Sequence, residues 1–329
     1  MRGLFMNPYA GGEYMNIVCA EPLSVSYDMV EGLKKRFEQL GHQFIYYTDR
    51  PGTQKETALR IREADVVVIT DLPVTQAVIE KTKHLKLLVV AFSSQDHVDL
   101  ETCSNRGIRV AQIRGYSAFA VAELAVAMMI SLLRSMIIAN NAMRTGLHDL
   151  PYLGQELHGR TIGIIGLGDV GVTVARIVNT FGCRVIAYDL TPSGEAYQAG
   201  VTYVKLEQLF RESDILSIHC PLTEETEGMV TYELLSTMKP SAFVINVGRG
   251  SVIEMEGLIR ALKEGCIAGA GIDTKEKTNM EKDHRLLEFD QVIVTPHIGY
   301  RTQESFERRL EGVERQIVSW LEEQLHPKL

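Results

Sequence analysis

At roughly 100–200 residues per domain, a chain of 329 residues is expected to form about two domains, each able to bury a core without disulfide or metal staples. Hydrophobic residues at 45%, charged residues at 23%, 27 Gly and 10 Pro exclude disordered, collagen-like and disulfide-framework classes. The balance of 34 basic against 42 acidic residues, a net charge of −8, argues against the basic face that a phosphate-backbone binder needs, so no nucleic-acid partner is expected.

Residues 1–14 lack the apolar core of a secretion signal, and the first strand-like run begins at Met15. Five Val- and Ile-rich runs follow: NIVCAE from Asn16, QFIYYT from Gln43, VVVITD from Val66, LKLLVVAF from Leu85 and IRVAQI from Ile108. Helical patterns separate them, the clearest at 29–40 before the stop at Gly41, with Pro73 and Pro151 marking other boundaries. Alternation of this kind predicts a parallel sheet with helices on both faces. One long helical pattern then covers 117–146, apolar nearly all round in its first half, and is read as a helix buried at an inter-domain or subunit interface. Its apolar stretch, 118–133, contains Glu123 and is shorter than the roughly 20 residues a bilayer demands, so no membrane span is expected.

A second strand series begins with GRTIGIIG from Gly159 and continues through RVIAYD from Arg184, DILSIHC from Asp214, AFVINV from Ala242, IAGAGID from Ile267 and QVIVTP from Gln291. Each gap admits a crossover helix, which predicts a second doubly wound sheet, and a last helix is expected over 302–323. Cys19, Cys103, Cys183, Cys220 and Cys266 are scattered, odd in number and free of CxxC spacing, so neither a disulfide framework nor a metal site is expected. A reducing compartment, the cytoplasm, fits this usage.

Chemistry concentrates in the second half. Gly166-Leu167-Gly168-Asp169-Val170-Gly171 is GxGxxG; it follows the strand-like TIGII and opens a helical stretch, 172–181. Glycines there permit a tight turn, and the helix start receives a pyrophosphate. Asp189 closes the next strand, 18 residues past Gly171, where a carboxylate accepts from ribose hydroxyls and repels a 2′-phosphate, favouring NAD over NADP. Three further segments stand at strand ends, HCPLT from His219, NVGRG from Asn246 and TPHIG from Thr295. Arg249, between two glycines, can aim its planar fork at a carboxylate. His297, on a turn between Pro296 and Ile298, is of the side-chain type whose ordinary pKa of about 6.5 suits proton transfer.

With GLGDVG, HCPLT, NVGRG, GAGID and TPHIG in this order, together with DHVDL near 96 and YSAFAVAELA near 116, the chain resembles the NAD-dependent D-2-hydroxyacid dehydrogenases. The likeness runs from about residue 15 to 325. It implies an α/β protein of two doubly wound parallel-sheet domains. A flavodoxin-like substrate-binding domain takes residues 1–115 plus 302–329, a Rossmann NAD-binding domain takes 116–301, and the active site lies in the cleft. By similarity Arg249 holds the substrate carboxylate and His297 is the acid/base. Gly166, Gly168, Asp169, Val170, Gly171, Asp189, Cys220, Pro221, Thr226, Val247, Gly248 and Gly299 line NAD. Asp273 in GAGID either orients the nicotinamide carboxamide or caps its strand end. The resemblance also implies a homodimer built through the helix near 117–146, and a small 2-keto or 2-hydroxy acid as substrate.

Two departures stand out. The family places a Glu five residues after the Asp of GAGID, to hydrogen-bond the catalytic imidazole; here that position is Thr278, with Glu276 two residues earlier as a possible stand-in. A Thr hydroxyl can orient a ring nitrogen but offers no charge to raise a His pKa. At Phe92-Ser93-Ser94 the family often has a Gly-rich loop whose amides bind substrate carboxylate, which makes Ser93 and Ser94 candidate substrate contacts here. Tyr300, three residues past His297, is either a pocket wall or a packed interface residue. The absent Glu also leaves open a competing class, a protein of the same fold that senses NAD(H) without turnover, whereas Arg249 and His297 favour the enzyme.

Overall fold

The computed structural model describes residues 13–146, 153–274 and 285–325. The chain divides into two compact units, Met1–Ser117 with Thr302–Leu329, and Ala118–Arg301.

The first unit holds a parallel sheet of β1 (Asn16–Cys19), β2 (Gln43–Tyr46), β3 (Val66–Ile69), β4 (Leu87–Val90) and β5 (Arg109–Gln112), in the order β2-β1-β3-β4-β5. Its central strands are apolar at every position because both faces are covered. Val66, Val68, Leu87 and Val89 point into one core, and Val67, Ile69, Leu88 and Val90 into the other, the two-residue period of a strand used twice over. The C-terminal helix Gln303–Leu325 closes the first core with Leu310, Val313, Ile317, Trp320 and Leu321, a single helical stripe.

The second unit holds β6 (Thr161–Ile165), β7 (Arg184–Tyr188), β8 (Thr202–Tyr203), β9 (Ile215–Ile218), β10 (Phe243–Asn246), β11 (Gly269–Ile272) and β12 (Val292–Val294). Their order is β12-β11-β10-β9-β6-β7-β8, all parallel. All eleven strand runs read from the sequence are present; the two-residue β8 was not anticipated, being too short for any alternation to register.

The 117–146 pattern is a correction. It forms two helices, Ala118–Leu133 and Met136–Arg144, bent by 62°. Ser135 between them takes a left-handed conformation, φ 49°. The carbonyl of Leu133, which a continuous helix would spend on residue 137, instead accepts from the Gln155 amide at 2.8 Å. The first helix is apolar all round because it packs among the helix Asp169–Thr180 and the strands β10 to β12. Among the described residues no single helix is long and apolar enough to cross a membrane, although this bent pair together reaches that length and composition.

Candidate active site

The strand ends of the second unit lie level. Tyr188 pairs with Ile165, Ile165 with Ile218, Ile218 with Asn246, Asn246 with Ile272, and Ile272 with Val294. These are the carboxyl ends of six parallel strands, and nearly every candidate of this unit stands within a few residues of one of them. Strand order reverses between β6 and β9, the point where doubly wound sheets open a crevice for ligands.

At that reversal Gly166 follows β6 with φ +90°, and a Cβ there would lie 2.5 Å from the Cys220 amide nitrogen after β9. Only glycine allows the two turns to approach so closely. A Cβ on Gly171 would overlap the Gly166 carbonyl oxygen, so the third glycine lets the helix Asp169–Thr180 press against the turn. Gly168, its N-cap, differs: a Cβ there would meet nothing within 4 Å. The open space above Gly168 adjoins first-turn amides that have no partner inside a helix, a cradle with the shape and polarity a pyrophosphate requires. Asp189, one residue past β7, accepts from the Leu167 amide at 2.6 Å and from the Thr191 amide at 2.8 Å. Its carboxylate thereby ties the glycine turn to the neighbouring strand end and keeps acceptor capacity for ribose hydroxyls. These residues fit a dinucleotide.

Beyond β9, the Cys220 thiol is buried and pushed up to about 11 by desolvation, so it is no nucleophile. Thr226 folds the following loop back, its hydroxyl donating to the Pro221 carbonyl at 2.7 Å and accepting from the Thr223 amide at 2.8 Å. His219 Nε2 meets the Ser217 hydroxyl at 2.8 Å, its Nδ1 is buried without a hydrogen-bond partner, and burial pushes the ring down to about 3.

Arg249 stands three residues past β10 and is half-buried. The device that aims it is Asn246, fully buried at the strand end. The Asn246 Nδ2 donates to the Arg249 carbonyl at 3.0 Å, and its Oδ1 accepts from the Gly248 amide at 3.0 Å, so one amide side chain pins both ends of the Val247-Gly248-Arg249 turn. Sequence reasoning passed over Asn246; a polar residue closing an otherwise apolar strand was the available signal.

Asp273 plays the same part for His297. It is 1% exposed, and its two oxygens accept three hydrogen bonds: from the Thr295 hydroxyl at 2.6 Å and the Ile298 amide at 2.7 Å on Oδ1, and from the Gly299 amide at 2.7 Å on Oδ2. His297 takes φ +55°, and its own amide donates to the Thr295 carbonyl at 2.9 Å. The left-handed residue turns the next two amides onto one carboxylate, an anion nest built from the loop. Tyr300 meets the imidazole edge-on, ring centroids 5.4 Å apart at 88°.

Arg249 and His297 thus each sit three residues past level strand ends with β11 between, two strand spacings or about 10 Å apart at their bases. Thr278 and Glu276 lie outside the described residues. Ser93 and Ser94 belong to the first unit, in the loop after β4, where the Ser94 hydroxyl donates to the Asp96 carboxylate and Ser93 is exposed.

Residues 126–299 match the family described as D-isomer specific 2-hydroxyacid dehydrogenase, NAD binding domain. The chain is 34% identical over 290 residues to a glyoxylate reductase of Thermofilum pendens, covering 85% of each. It is 37% identical over 258 residues to a hydroxypyruvate reductase of Thermotoga maritima, covering 77% of this chain and 83% of that protein. Among solved structures, the D-lactate dehydrogenase of Aquifex aeolicus complexed with NAD and lactic acid superposes with a TM-score of 0.78 at 29% identity, covering 94% of this chain and 96% of that one.

Proposed function

This chain belongs to the D-isomer specific 2-hydroxyacid dehydrogenase family and is an NAD-dependent oxidoreductase of that class; from that premise we propose that it reduces a small 2-keto acid, with Arg249 holding the carboxylate and His297 exchanging the proton. The observation that supports this assignment is the level line of strand ends, which puts the glycine turn, Arg249 and His297 along one edge of one sheet.

The turn at Gly168 and the Asp189 carboxylate would hold NADH, which would supply the hydride for the carbonyl carbon. Arg249, its backbone pinned by Asn246, grips the substrate carboxylate through two parallel N–H bonds and so sets which carbon faces the dinucleotide. His297 in its protonated form gives a proton to the carbonyl oxygen as negative charge develops there, and in the reverse direction its neutral form takes the hydroxyl proton. Asp273 acts by holding the loop that carries His297, and Tyr300 by packing on the imidazole edge. The glyoxylate and hydroxypyruvate reductases among its relatives point to short keto acids. Oxidation of NADH with glyoxylate, hydroxypyruvate, pyruvate and phenylpyruvate tests the reading. Saturable turnover is expected on glyoxylate or hydroxypyruvate, and its loss by about 100-fold in Arg249→Lys, which keeps charge but not the fork. Binding of NADH without turnover on any member of the panel would overturn it.

Two further features belong to this reading. The bent helix pair exposes Phe119, Met136, Ile137 and Met143, an apolar surface that suits a second copy of the chain. Sedimentation is expected to give a dimer that Ile137→Asp dissociates. Five free cysteines, four of them buried, suit a reducing compartment, the cytoplasm.

A further inference from the structure

The first unit carries a groove that the proposed chemistry does not use. It lies between the helix Gln54–Ile61 and the segment 76–83, and encloses about 570 Å³, the size of a small-molecule site. Its floor is Ala58, Leu59, Ala77 and Val78, with Leu59 71% exposed. Around that floor stand Lys55, Arg62, Lys81 and Lys83 against one carboxylate, Glu80, in a protein whose net charge is −8. Glu80 is turned to its own helix, accepting from Gln76 Nε2 at 2.9 Å.

The cations are distributed to the two ends. Thr75 donates through its hydroxyl to Gln54 Oε1 at 3.2 Å, and the Lys83 amide donates to the Arg62 carbonyl at 3.0 Å. The two walls therefore run in the same direction, which places Lys55 at one end and Arg62, Lys81 and Lys83 at the other. Glu63 engages Lys83 at 2.6 Å and Arg62 at 3.6 Å, whereas Lys55 and Lys81 have no ion pair among the described residues. Lys55, Leu59 and Arg62 recur at spacings of four and three, one helix face, and the seven residue steps from Lys55 to Arg62 rise about 10 Å.

We propose that this groove binds an elongated organic dianion, an apolar chain carrying a carboxylate at each end. Charge complementarity selects it: the apolar floor takes the chain, Lys81 with Arg62 takes one carboxylate, and Lys55 takes the other. A monocarboxylate satisfies only one end, and a neutral chain neither.

Calorimetric titration of the full-length protein with sebacate, decanoate and decanol tests the assignment. Saturable binding of one sebacate is expected, at least tenfold tighter than decanoate, with decanol weaker still. Lys55→Glu should lower sebacate affinity at least tenfold and leave decanoate unchanged, whereas Lys81→Glu should weaken both. Each variant should keep native ketoacid turnover and thermal stability, since Lys55 lies on a surface helix and Lys81 in a surface turn. Absence of saturable binding by sebacate overturns the site. Equal affinity for sebacate and decanoate, or indifference to Lys55→Glu, overturns the two-ended recognition. None of the binding readouts depends on dehydrogenase activity.

Discussion

His297 occupies a backbone region that costs a residue with a Cβ about 1–3 kcal/mol, and the compensation is visible in Asp273, whose carboxylate collects the two amides that the turn redirects. The Asn side chain has the same shape but one acceptor oxygen, so Asp273→Asn sets an NH2 against at least one N–H donor. A loss of about 2–3 kcal/mol is expected from the unsatisfied pair, with lower kcat because the imidazole is no longer held. Thermal unfolding and steady-state kinetics check this; an unchanged melting temperature with only a raised KM for NADH would instead place Asp273 at the nicotinamide. The resemblance implies that Thr278 stands where a Glu would partner the same imidazole, and we propose this position as a test of the role of His297. In the proposed reaction the reductive direction uses protonated His297, and a carboxylate beside the ring would favour that form. In Thr278→Glu the alkaline limb of the reductase profile is therefore expected to move up by roughly one pH unit; superimposable profiles would count against any role for that position.

At the scale of the element, the turn from β6 into the helix Asp169–Thr180 separates two kinds of glycine. Gly171 is closed in by the Gly166 carbonyl, whereas Gly168 faces open space. Gly171→Ala is expected to disrupt the turn and lower stability. Gly168→Ala should leave the unliganded protein's melting temperature within about 1 °C, because the added methyl touches nothing, yet weaken NADH at least tenfold by filling the phosphate cradle. Fluorescence titration with NADH beside a thermal scan distinguishes the two. The bent pair Ala118–Leu133 and Met136–Arg144 teaches a different lesson. Its apolar periodicity continues across Arg134 and Ser135, and what ends the first helix is a distant amide, Gln155, taking the Leu133 carbonyl. No local signal in 133–136 announces that bond.

For the whole molecule, the first loss of stability on acidification comes from histidines held neutral. Burial pushes His219 down to about 3 and lowers His42 and His97 below their ordinary 6.5. Each folded-state value lies beneath the unfolded one, so below pH 6.5 the unfolded chain binds protons that the folded chain refuses. Stability is full above that pH and declines as pH falls, by up to about 1.4 kcal/mol per pH unit for each such histidine. Denaturant titrations at pH 8, 6.5 and 5.5 should show the decline beginning before carboxylates titrate, with a shallower slope in His219→Gln; a flat response over this range would show that these rings accept protons in place.

Eleven of the twelve strands, the presence of two doubly wound sheets and the glycine turn after β6 were legible in the chain, as was the placing of Arg249 and His297 just past strand ends. Each depends on residues adjacent in sequence: apolar runs covered on both faces, and glycines at fixed spacing after a strand. The two-residue β8, the break at Ser135, Asn246 as the clamp on Arg249's turn, and the basic ends of the groove between 54–62 and 76–83 were not legible. Each of the last three depends on which groups meet after folding: the Leu133 carbonyl with the Gln155 amide, one buried side-chain amide with both ends of a turn, and two helices aligned by the bonds Thr75–Gln54 and Lys83–Arg62. Periodicity reports which face of an element is buried, but it carries no information about the partner that a particular polar atom finds there.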